Sequence, residues 1–487
     1  MIPVRRAIWY AVLNQGSLVM VGFVSVAVLA RLLTPAEIGV FAVASSISFV
    51  ASSIRSFGVG DYLIREAHID KSSVSSVIGV MMVMSWSLGL ILIASAPLIS
   101  SFFDVPDLRD VIWIMSGPFF LAPYITVPHS LLGRELRFDS TLRVDLAGAL
   151  TNAVVSIALA LWGLRYFGLA IGALLGVVAE FIVVTLLRPN LMTWKPSLSK
   201  FSEIFRAGFF ISTGRALTMV SENSSDLILG RMSQMNIVGL FSRGLGLILF
   251  VQRLMVQSVG RVALPHLSQV NRSGGDVAEA YLTSVSLVGA VTMPVFAVIN
   301  LAAKPMIIAL FGDQWTASVE VASILALWAT LQAVHSFSNP ALLATGRERV
   351  VLLKELTSIT VKIGVVVAAV PHGLIWVAWA FVISGAFDFV LSTLIMRLTH
   401  GITISRLISA YASNVVVAAV CWISLKGVSR FVDFDSMNSW LAVLLIGCAM
   451  TPVWLASIYL TRNKAWPFVR DIASQGVRRL LPQRSDL

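Results

Sequence analysis

Charged residues are scarce in this sequence. Asp, Glu, Lys and Arg make up 13% of its 487 residues, whereas soluble domains usually carry about 25%. Hydrophobic residues make up 57%, and the mean hydropathy is +0.86. One water-soluble core cannot bury so large an apolar excess, so the composition excludes an ordinary soluble protein. Lipid is the solvent that such a chain fits.

Several site chemistries are also missing. The two cysteines, Cys421 and Cys448, lie in apolar runs, and we interpret them as small core residues rather than a disulfide or a metal site. No G-x-x-x-x-G-K-[ST] motif is present, which argues against an ATPase within the chain. The six His are scattered and form no metal-binding pair, so we expect neither a resident metal nor an organic cofactor.

The apolar residues are gathered into runs of about 20, the length that a helix needs to cross the hydrocarbon core. Fourteen such runs predict an all-α polytopic membrane protein. The first run is too long for a signal peptide, so we expect it to remain as a span. The predicted spans lie near 8–31, 37–57, 75–99, 111–132, 142–163, 167–188, 206–230, 236–258, 281–303, 317–343, 351–371, 374–397, 406–427 and 438–461.

The basic residues are distributed unequally between the two faces that fourteen spans define. Of the 36 Lys and Arg, 26 fall on the face that carries both termini, seven fall on the other face, and three lie within spans. Positive charge collects on the cytoplasmic side of membrane proteins. Both termini are therefore predicted to be cytoplasmic. The net charge of +11 fits the anionic surface of that leaflet.

The sequence also repeats itself at an offset of 200 residues. Arg6, Arg31 and Gly39 match Arg206, Arg231 and Gly239, and positions 6–41 contain seven identities in all, where chance gives about two. With a slightly larger offset, G-R-E at 133–135 matches G-R-E at 346–348. Six spans are followed by six more in the same order, which predicts two pseudo-symmetric six-helix lobes and two extra helices.

This repeat gives a domain organisation. We predict an N-lobe, a cytoplasmic linker, a C-lobe, a pair of extra helices, and a basic amphipathic tail on the cytoplasmic leaflet. The bounds are 1–188, 189–203, 204–398, 405–461 and 462–487, respectively.

Four short motifs resemble those of a known family. They are L-A-R-L-L-T-P-A-E-I-G-V-F-A-V-A at 29–44, S-D-L-I-L-G-R-M followed by G-L-F-S-R-G at 225–244, A-L-P-H-L-S at 263–268, and F-G-D-Q-W at 311–315. Together they resemble the polysaccharide or O-antigen-type flippases of the multidrug/oligosaccharidyl-lipid/polysaccharide exporter superfamily. The resemblance covers roughly residues 5–400, and that family usually has fourteen helices.

The resemblance implies two bundles that open to one side of the bacterial inner membrane at a time. The implied substrate is a polyprenyl-pyrophosphate-linked glycan that moves from the cytoplasmic to the periplasmic leaflet, and a glycan polymerase and export machinery are possible partners. The coupling ion, Na⁺ or H⁺, stays open. Two other readings also stay open: a cation-coupled small-molecule or drug antiporter of the same superfamily, and a membrane glycan polymerase. The flippase that the resemblance implies is a transporter and not an enzyme.

Moving a charged glycan through hydrocarbon requires a polar route, and ionisable residues within spans are candidates for it. The seventh predicted span carries Arg215, Glu222 and Asp226 on one helical face. Its basic side chains would attract phosphate, whereas carboxylates would bind sugars or a cation; pairing between helices is the structural alternative. The remaining candidates are Asn14, Gln15, Glu180, Arg243, Lys362 and Asp388.

Arg31 and Arg231 end the first predicted helix of each repeat on the outer side. They depart from the charge bias at equivalent positions. Their long side chains would anchor those helices by reaching the headgroups, or they would form an outer gate.

Overall fold

The computed structural model describes residues 4–55, 71–189, 195–434 and 436–471. Within these ranges the chain is helical and contains no β-strand. Fifteen α-helices are described. In chain order α1–α15 they are Val4–Leu32, Pro35–Arg55, Lys71–Phe103, Leu108–Arg134, Phe138–Leu161, Arg165–Leu187, Phe201–Met232, Met235–Arg272, Val277–Phe311, Ala317–Val334, Ser338–Ala344, Glu348–Ala369, Leu374–His400, Ile404–Val428 and Ser439–Leu460.

Twelve helical segments in the described ranges are long and apolar enough to cross a membrane. This finding confirms an all-α polytopic membrane protein. The seventh and eleventh predicted spans, α7 and α12, are not among the twelve. Their 32 and 22 residues give lengths of about 48 and 33 Å, so both can reach across a bilayer, but they are too polar to be counted. The number fourteen therefore stays a prediction.

The tenth predicted span, 317–343, corresponds to the candidate span Ala317–Ala344, but that span is divided into two helices. Instead of one helix over 317–343, α10 ends at Val334 and α11 begins at Ser338. Pro340 lies in the first turn of α11, where its missing N–H costs little, and a proline disfavours helix in the residues before it. Pro340 is visible in the sequence, but a count of apolar residues takes no account of a proline.

The chain packs into two compact units, residues 1–242 and 243–487. In unit 1, helix α7 packs against α2. The Oγ of Ser46 donates a hydrogen bond of 3.2 Å to Asp226, and Gly230 leaves room for Val43, whose methyl carbon would lie 2.6 Å from an added Cβ. This division differs from the predicted division into repeats, because α7 packs with the helices that precede it. The predicted lobe boundaries stay a prediction.

The starts of α2 and α8 approach each other through a reciprocal glycine contact. A Cβ on Gly39 would lie 1.9 Å from the carbonyl oxygen of Met235, and a Cβ on Gly239 would lie 1.9 Å from the carbonyl oxygen of Pro35. No side chain fits at either position. Gly39 and Gly239 are 200 residues apart, as are Pro35 and Met235, so each repeat contributes the same two positions to the contact.

Unit 2 contains its own buried core. Helix α9 runs through it and packs against α10, α14 and α15, with Tyr281, Phe296 and Val285 fully buried. The segment after α15 is fixed to this core. The side chain of Asn463 is buried and donates hydrogen bonds to Asn414 and Ser413. Residues 466–471 are helical, and the rest of the predicted tail, 472–487, lies outside the described residues.

Candidate polar sites within the two units

A polar cluster lies inside unit 1, where four membrane helices meet. Asp145 of α5 accepts hydrogen bonds from two directions. The Nδ2 of Asn14 on α1 donates to its Oδ2 at 2.7 Å, and Nε2 of His129 on α4 lies 3.0 Å from its Oδ1. The side chains of His129 and Asp145 are 36% and 22% exposed, respectively. The pair is therefore partly accessible rather than sealed in the core.

Glu180 of α6 joins the cluster about one turn further along α5. Its Oε1 lies only 2.3 Å from the position that a Cβ on residue 148 would take. The carboxylate therefore fits here because Gly148 has no side chain. Arg55, His129 and Asp145 are all within electrostatic range of Glu180. The guanidinium of Arg55 also lies over the ring of Phe119, 5.3 Å from its centre.

The two carboxylates of the cluster lie well inside the membrane helices, whereas Arg55 is the last residue of α2. Asp145 is seven residues from the start of α5, and Glu180 is seven residues from the end of α6. At 1.5 Å per residue, both are about 10 Å from the helix ends. Two of its polar atoms, Asn14 Oδ1 and Arg55 Nε, are buried without a hydrogen-bond partner among the described residues. Ionised side chains at this depth are costly unless they are paired or functional.

Unit 2 contains a second polar cluster with a similar arrangement of side chains. The Nδ2 of Asn339 on α11 donates a hydrogen bond of 2.7 Å to Glu355 on α12. Lys354 is only 6% exposed, and its Nζ lies 3.1 Å from both Ser338 Oγ and Asn339 Oδ1 and 3.7 Å from Glu355. One turn further along α12, the Oγ of Ser358 donates to Asp388 of α13 at 2.6 Å.

The two clusters occupy equivalent positions in their units. The hydrogen-bonded pairs are His129–Asp145 and Asn339–Glu355, and the residue numbers differ by 210 in both cases, from 129 to 339 and from 145 to 355. Gly148 and Ser358, which contact the second carboxylate, also differ by 210. The sequence comparison missed this relation because the paired residues are similar in chemistry but not identical.

The backbone supports the 210-residue offset. In the turn before α5, Leu136 has φ 56° and Arg137 N donates to Leu132 O. In the turn before α12, Gly346 has φ 70° and Arg347 N donates to Leu342 O. The G-R-E match, at an offset of 213, is therefore wrong as a structural equivalence. Gly133 lies inside helix α4, whereas Gly346 takes the left-handed conformation that ends a helix.

The predicted residues of α7 are placed differently from one another. Asp226 contacts Ser46 of α2, as described above, and Glu222 is exposed in unit 1. The Arg215 side chain lies outside the described part of the chain. In α1, Asn14 belongs to the unit 1 cluster, whereas Gln15 is exposed. Their roles in a substrate path stay predictions.

The other predicted basic residues lie over aromatic rings. The guanidinium of Arg243 lies 5.7 Å from the ring centre of Phe311 and 5.6 Å from that of Trp315, both in the F-G-D-Q-W motif. The Nζ of Lys362 lies 4.6 Å from the ring centre of Phe381, two turns before Asp388 on α13. Such cation–π contacts hold a cation in place without neutralising it.

Arg31 and Arg231, the two predicted anchors or gate residues, are both exposed in unit 1. Arg231 lies over the ring of Phe102 at 5.1 Å from its centre. Their roles as anchors or as a gate stay predictions.

Comparison with known families decides the protein's class. The family of polysaccharide biosynthesis proteins matches residues 28–320, which is more than half of the chain. The chain belongs to this family.

The relatives have low sequence identity to this chain, but the matched regions cover most of it. A teichuronic acid biosynthesis protein, TuaB of Bacillus subtilis, is 20% identical over 80% of this chain and 81% of its own. The succinoglycan biosynthesis transport protein ExoT of Rhizobium meliloti is 22% identical over 77% and 76% of the two chains. The lipopolysaccharide biosynthesis protein WzxC of Escherichia coli is 21% identical over 67% of each.

Solved structures share the fold of this family member. The lipid II flippase MurJ in an inward closed conformation matches 96% of this chain and all of its own, with a TM-score of 0.72 and 12% identity. An inward-facing multidrug resistance transporter of the MATE family matches 78% of this chain with a TM-score of 0.56 and 16% identity. These matches show that the chain has the fold of these two structures.

Sequence reasoning missed five ionisable members of the two clusters, Arg55, His129, Asp145, Lys354 and Glu355, as well as the polar residues Ser338, Asn339 and Ser358. The charges of Arg55 and Lys354 were assigned to loops, because both lie at or near helix ends. His129 and Asp145 were passed over because each stands alone in its span. A usable signal was present, since a hydrogen-bonding residue precedes a carboxylate by 16 positions in both repeats.

Proposed function

We propose that this protein moves a lipid-linked oligosaccharide or polysaccharide repeat unit from one leaflet of the membrane to the other by alternating access. Membership of the polysaccharide biosynthesis family carries the proposal, together with a fold shared along nearly the whole chain with a lipid II flippase. The names of TuaB, ExoT and WzxC place these relatives in the biosynthesis or transport of surface glycans.

The arrangement of polar residues fits this task. An isolated charge at the bilayer centre costs at least about 2.5–3.5 kcal/mol, so a glycan headgroup crosses only where the protein supplies polar partners. Each unit holds carboxylates and cations at membrane depth, packed between helices of its own. Transport of this kind forms and breaks no covalent bond, so we propose a transporter without enzymatic activity.

The substrate that we propose is a polyprenyl-pyrophosphate-linked glycan. Arg215, Arg243 and Lys362 are the proposed partners of its pyrophosphate, since guanidinium and ammonium groups bind phosphate oxygens strongly. Glu222, Asp226 and Asp388 are proposed partners of sugar hydroxyls. The proposed location is the bacterial inner membrane with cytoplasmic termini, next to a glycan polymerase and export machinery.

A vesicle assay tests the proposal. The purified protein is reconstituted into vesicles that contain a fluorescent undecaprenyl-pyrophosphate disaccharide, and a membrane-impermeant reductant then destroys the label on the outer leaflet. Protein-free vesicles should retain the label of the inner leaflet, whereas vesicles with the protein should lose nearly all of it. Label retention equal to that of protein-free vesicles would overturn the proposal.

The second candidate is a cation-coupled antiporter of small molecules, which the match to the MATE transporter favours. Vesicles loaded with a fluorescent cationic drug distinguish the two. Movement of the drug without movement of the labelled lipid would support the antiporter in place of the flippase.

A further inference from the structure

The two equivalent clusters differ in their charge balance. Among the described side chains of unit 1, Arg55 supplies one positive charge against the carboxylates of Asp145 and Glu180. One negative charge is left over unless a proton binds. In a membrane interior of low dielectric, an uncompensated charge is costly, so neutralisation by one proton is strongly favoured.

Unit 2 reaches neutrality without a proton. Lys354 pairs with Glu355, and Lys362 lies one turn after Ser358, the residue that bonds Asp388, so this face of α12 carries one lysine for each of the two carboxylates. The ammonium of Lys354 has a fixed set of partners in Ser338, Asn339 and Glu355. In unit 2 a second lysine thus supplies the positive charge that a proton would supply in unit 1.

The hydrogen-bonding partner of the first carboxylate differs in the same way. Unit 1 has His129 where unit 2 has Asn339, and each side chain bonds the carboxylate 16 positions later. Both make a similar hydrogen bond, but only the imidazole can gain a proton near neutral pH. The residue that can change its charge lies in the cluster that has one positive charge fewer than it has carboxylates.

We propose that the His129–Asp145 pair in unit 1 binds the coupling cation of the transport cycle and that this cation is a proton. The proton adds to Nδ1 of His129 while Nε2–H donates to Asp145, which makes the cluster of Arg55, His129, Asp145 and Glu180 neutral. The inference rests on the proposed transport function and deepens it. It assigns the coupling ion and the unit that carries it.

The ligand chemistry of the cluster favours a proton over Na⁺. A hard cation takes about six oxygen ligands, whereas the central pair offers an imidazole nitrogen and a carboxylate that are already hydrogen-bonded to each other. No group of three or more His, Cys, Asp or Glu in the described ranges is arranged to hold a metal ion. The buried Asn14 Oδ1 and Arg55 Nε, without partners among the described residues, leave polar capacity for the water that delivers a proton.

The groups that face His129 can be assigned helix by helix. Helix α5 supplies Asp145 and α6 supplies Glu180, while α2 supplies Arg55, whose charge acts on Glu180. Helix α1 contributes Asn14 through Asp145, and α3 has no ionisable side chain after Lys71. On α4 itself the neighbouring phenol, that of Tyr124, is directed to the sulfur of Met82. Among the residues that the structure describes, the titration of His129 therefore depends on two carboxylates, with one guanidinium acting through Glu180.

His335 of unit 2 does not play the same part. Its ring nitrogens are hydrogen-bonded to the hydroxyls of Tyr281 and Thr393, and the positive charge of Lys354 is nearby. A second positive charge there is unfavourable, so we expect His335 to remain neutral and structural.

The first test measures protonation directly and needs no transport. Protein labelled with ¹³C at the His ring carbons is titrated by NMR from roughly pH 5 to pH 8. The resonance that disappears in His129→Asn should titrate in this range, and Asp145→Asn should move its midpoint by about one pH unit. A His129 resonance that does not titrate, or that ignores Asp145→Asn, would overturn the inference. His372→Asn, at an exposed site, is the matched control and should leave that titration unchanged.

The second test uses the vesicle assay. A pH difference of one unit should change the steady-state distribution of the labelled lipid about tenfold if one proton moves per cycle, whereas a Na⁺ gradient should not. His129→Asn should fold, because Asn339 occupies the equivalent position, and it should lose this response. His372→Asn should keep it. Lipid movement in the wild-type protein without a pH response would overturn the proton assignment alone, whereas no lipid movement at all would count against the proposed function.

Discussion

Asn414 joins three segments of unit 2 through one side-chain amide. It is fully buried, its Nδ2 donates to the carbonyl oxygen of Ser286 at 2.8 Å, and its Oδ1 accepts a hydrogen bond of 2.7 Å from Asn463. Helix α14 is thereby tied to α9 and to the segment after α15. A buried amide of this kind is stabilising only while each of its groups is paired.

Replacing Asn414 with leucine should destabilise the protein by about 1–3 kcal/mol, because it removes two buried hydrogen bonds and leaves Asn463 with a weaker set of partners. The measurement is thermal unfolding of the purified protein in detergent. Val415→Ala is the control, since Val415 is 55% exposed and its truncation should cost less than about 0.5 kcal/mol. Equal unfolding temperatures for the wild type and Asn414→Leu would show that the amide is dispensable.

Arg243 offers a residue-scale test of the proposed substrate path. If its guanidinium binds the pyrophosphate, Arg243→Ala should lower glycan transport roughly tenfold or more, since a charge-assisted hydrogen bond contributes about 1.5–3 kcal/mol. The amount of folded protein should stay close to normal. Arg243→Lys should restore part of the activity, because lysine keeps the charge but lacks the planar fork.

The contrary result for Arg243 is also informative. The rings of Phe311 and Trp315 pack on the guanidinium, so a structural role would reduce the yield of folded protein in parallel with transport. Normal transport in Arg243→Ala would remove this residue from the path. Yield and transport must therefore be measured on the same preparations.

At the scale of helices, the reciprocal contact of Gly39 and Gly239 sets the distance between the first turns of α2 and α8. Gly39→Ala or Gly239→Ala would place a methyl group 1.9 Å from a carbonyl oxygen, so the helix starts must separate. We expect a loss of about 1–3 kcal/mol or more for each, as for other overpacked sites. Unfolding temperature and transport rate are the measurements.

Gly246→Ala is the matched control for Gly239→Ala. It lies in the same helix, and an added Cβ there would meet no atom within 4 Å. Alanine is also the better helix former by about 1 kcal/mol, so this variant should be neutral or slightly more stable. If Gly39→Ala and Gly239→Ala behaved like Gly246→Ala, the close approach would not matter for stability.

The helices were largely predictable from the sequence because lipid imposes a strict length and composition on them. Helices α7 and α12 were also located, although they are too polar for a hydropathy criterion alone, since their neighbours and the charge pattern required them. The division between α10 and α11 was missed because counting apolar residues ignores Pro340.

The sites were less predictable than the helices. Glu180 and Asn14 were predicted as polar residues within spans, and the structure places both near Asp145, which was not predicted because its contacts depend on which helices pack together. The proximity of Glu180 to Asp145 requires the missing side chain at Gly148, which no charge count reveals. Pairing between helices is a property of the tertiary fold and lies beyond the reach of span-by-span reasoning.

At the scale of the whole chain, the prediction concerns orientation. The concentration of Lys and Arg on one face predicts that Lys200, Gly274 and Leu487 are cytoplasmic and that Asp107 is periplasmic. Reporter fusions that are active on only one side of the membrane measure this directly. A periplasmic signal from a fusion at Leu487 would show that the number of spans is odd.

The glycine contact between α2 and α8 has the form of an interface between two identical chains. Each side offers the same glycine and the same carbonyl position, so a chain with a single repeat would need only one glycine to pair with a second copy of itself. In such a dimer, both halves would have to carry the same residue at every position. A fused chain is free of that constraint. Only in a fused chain can one half hold His129 while the other holds Asn339, so covalent linkage of the repeats is what permits a division of labour between them.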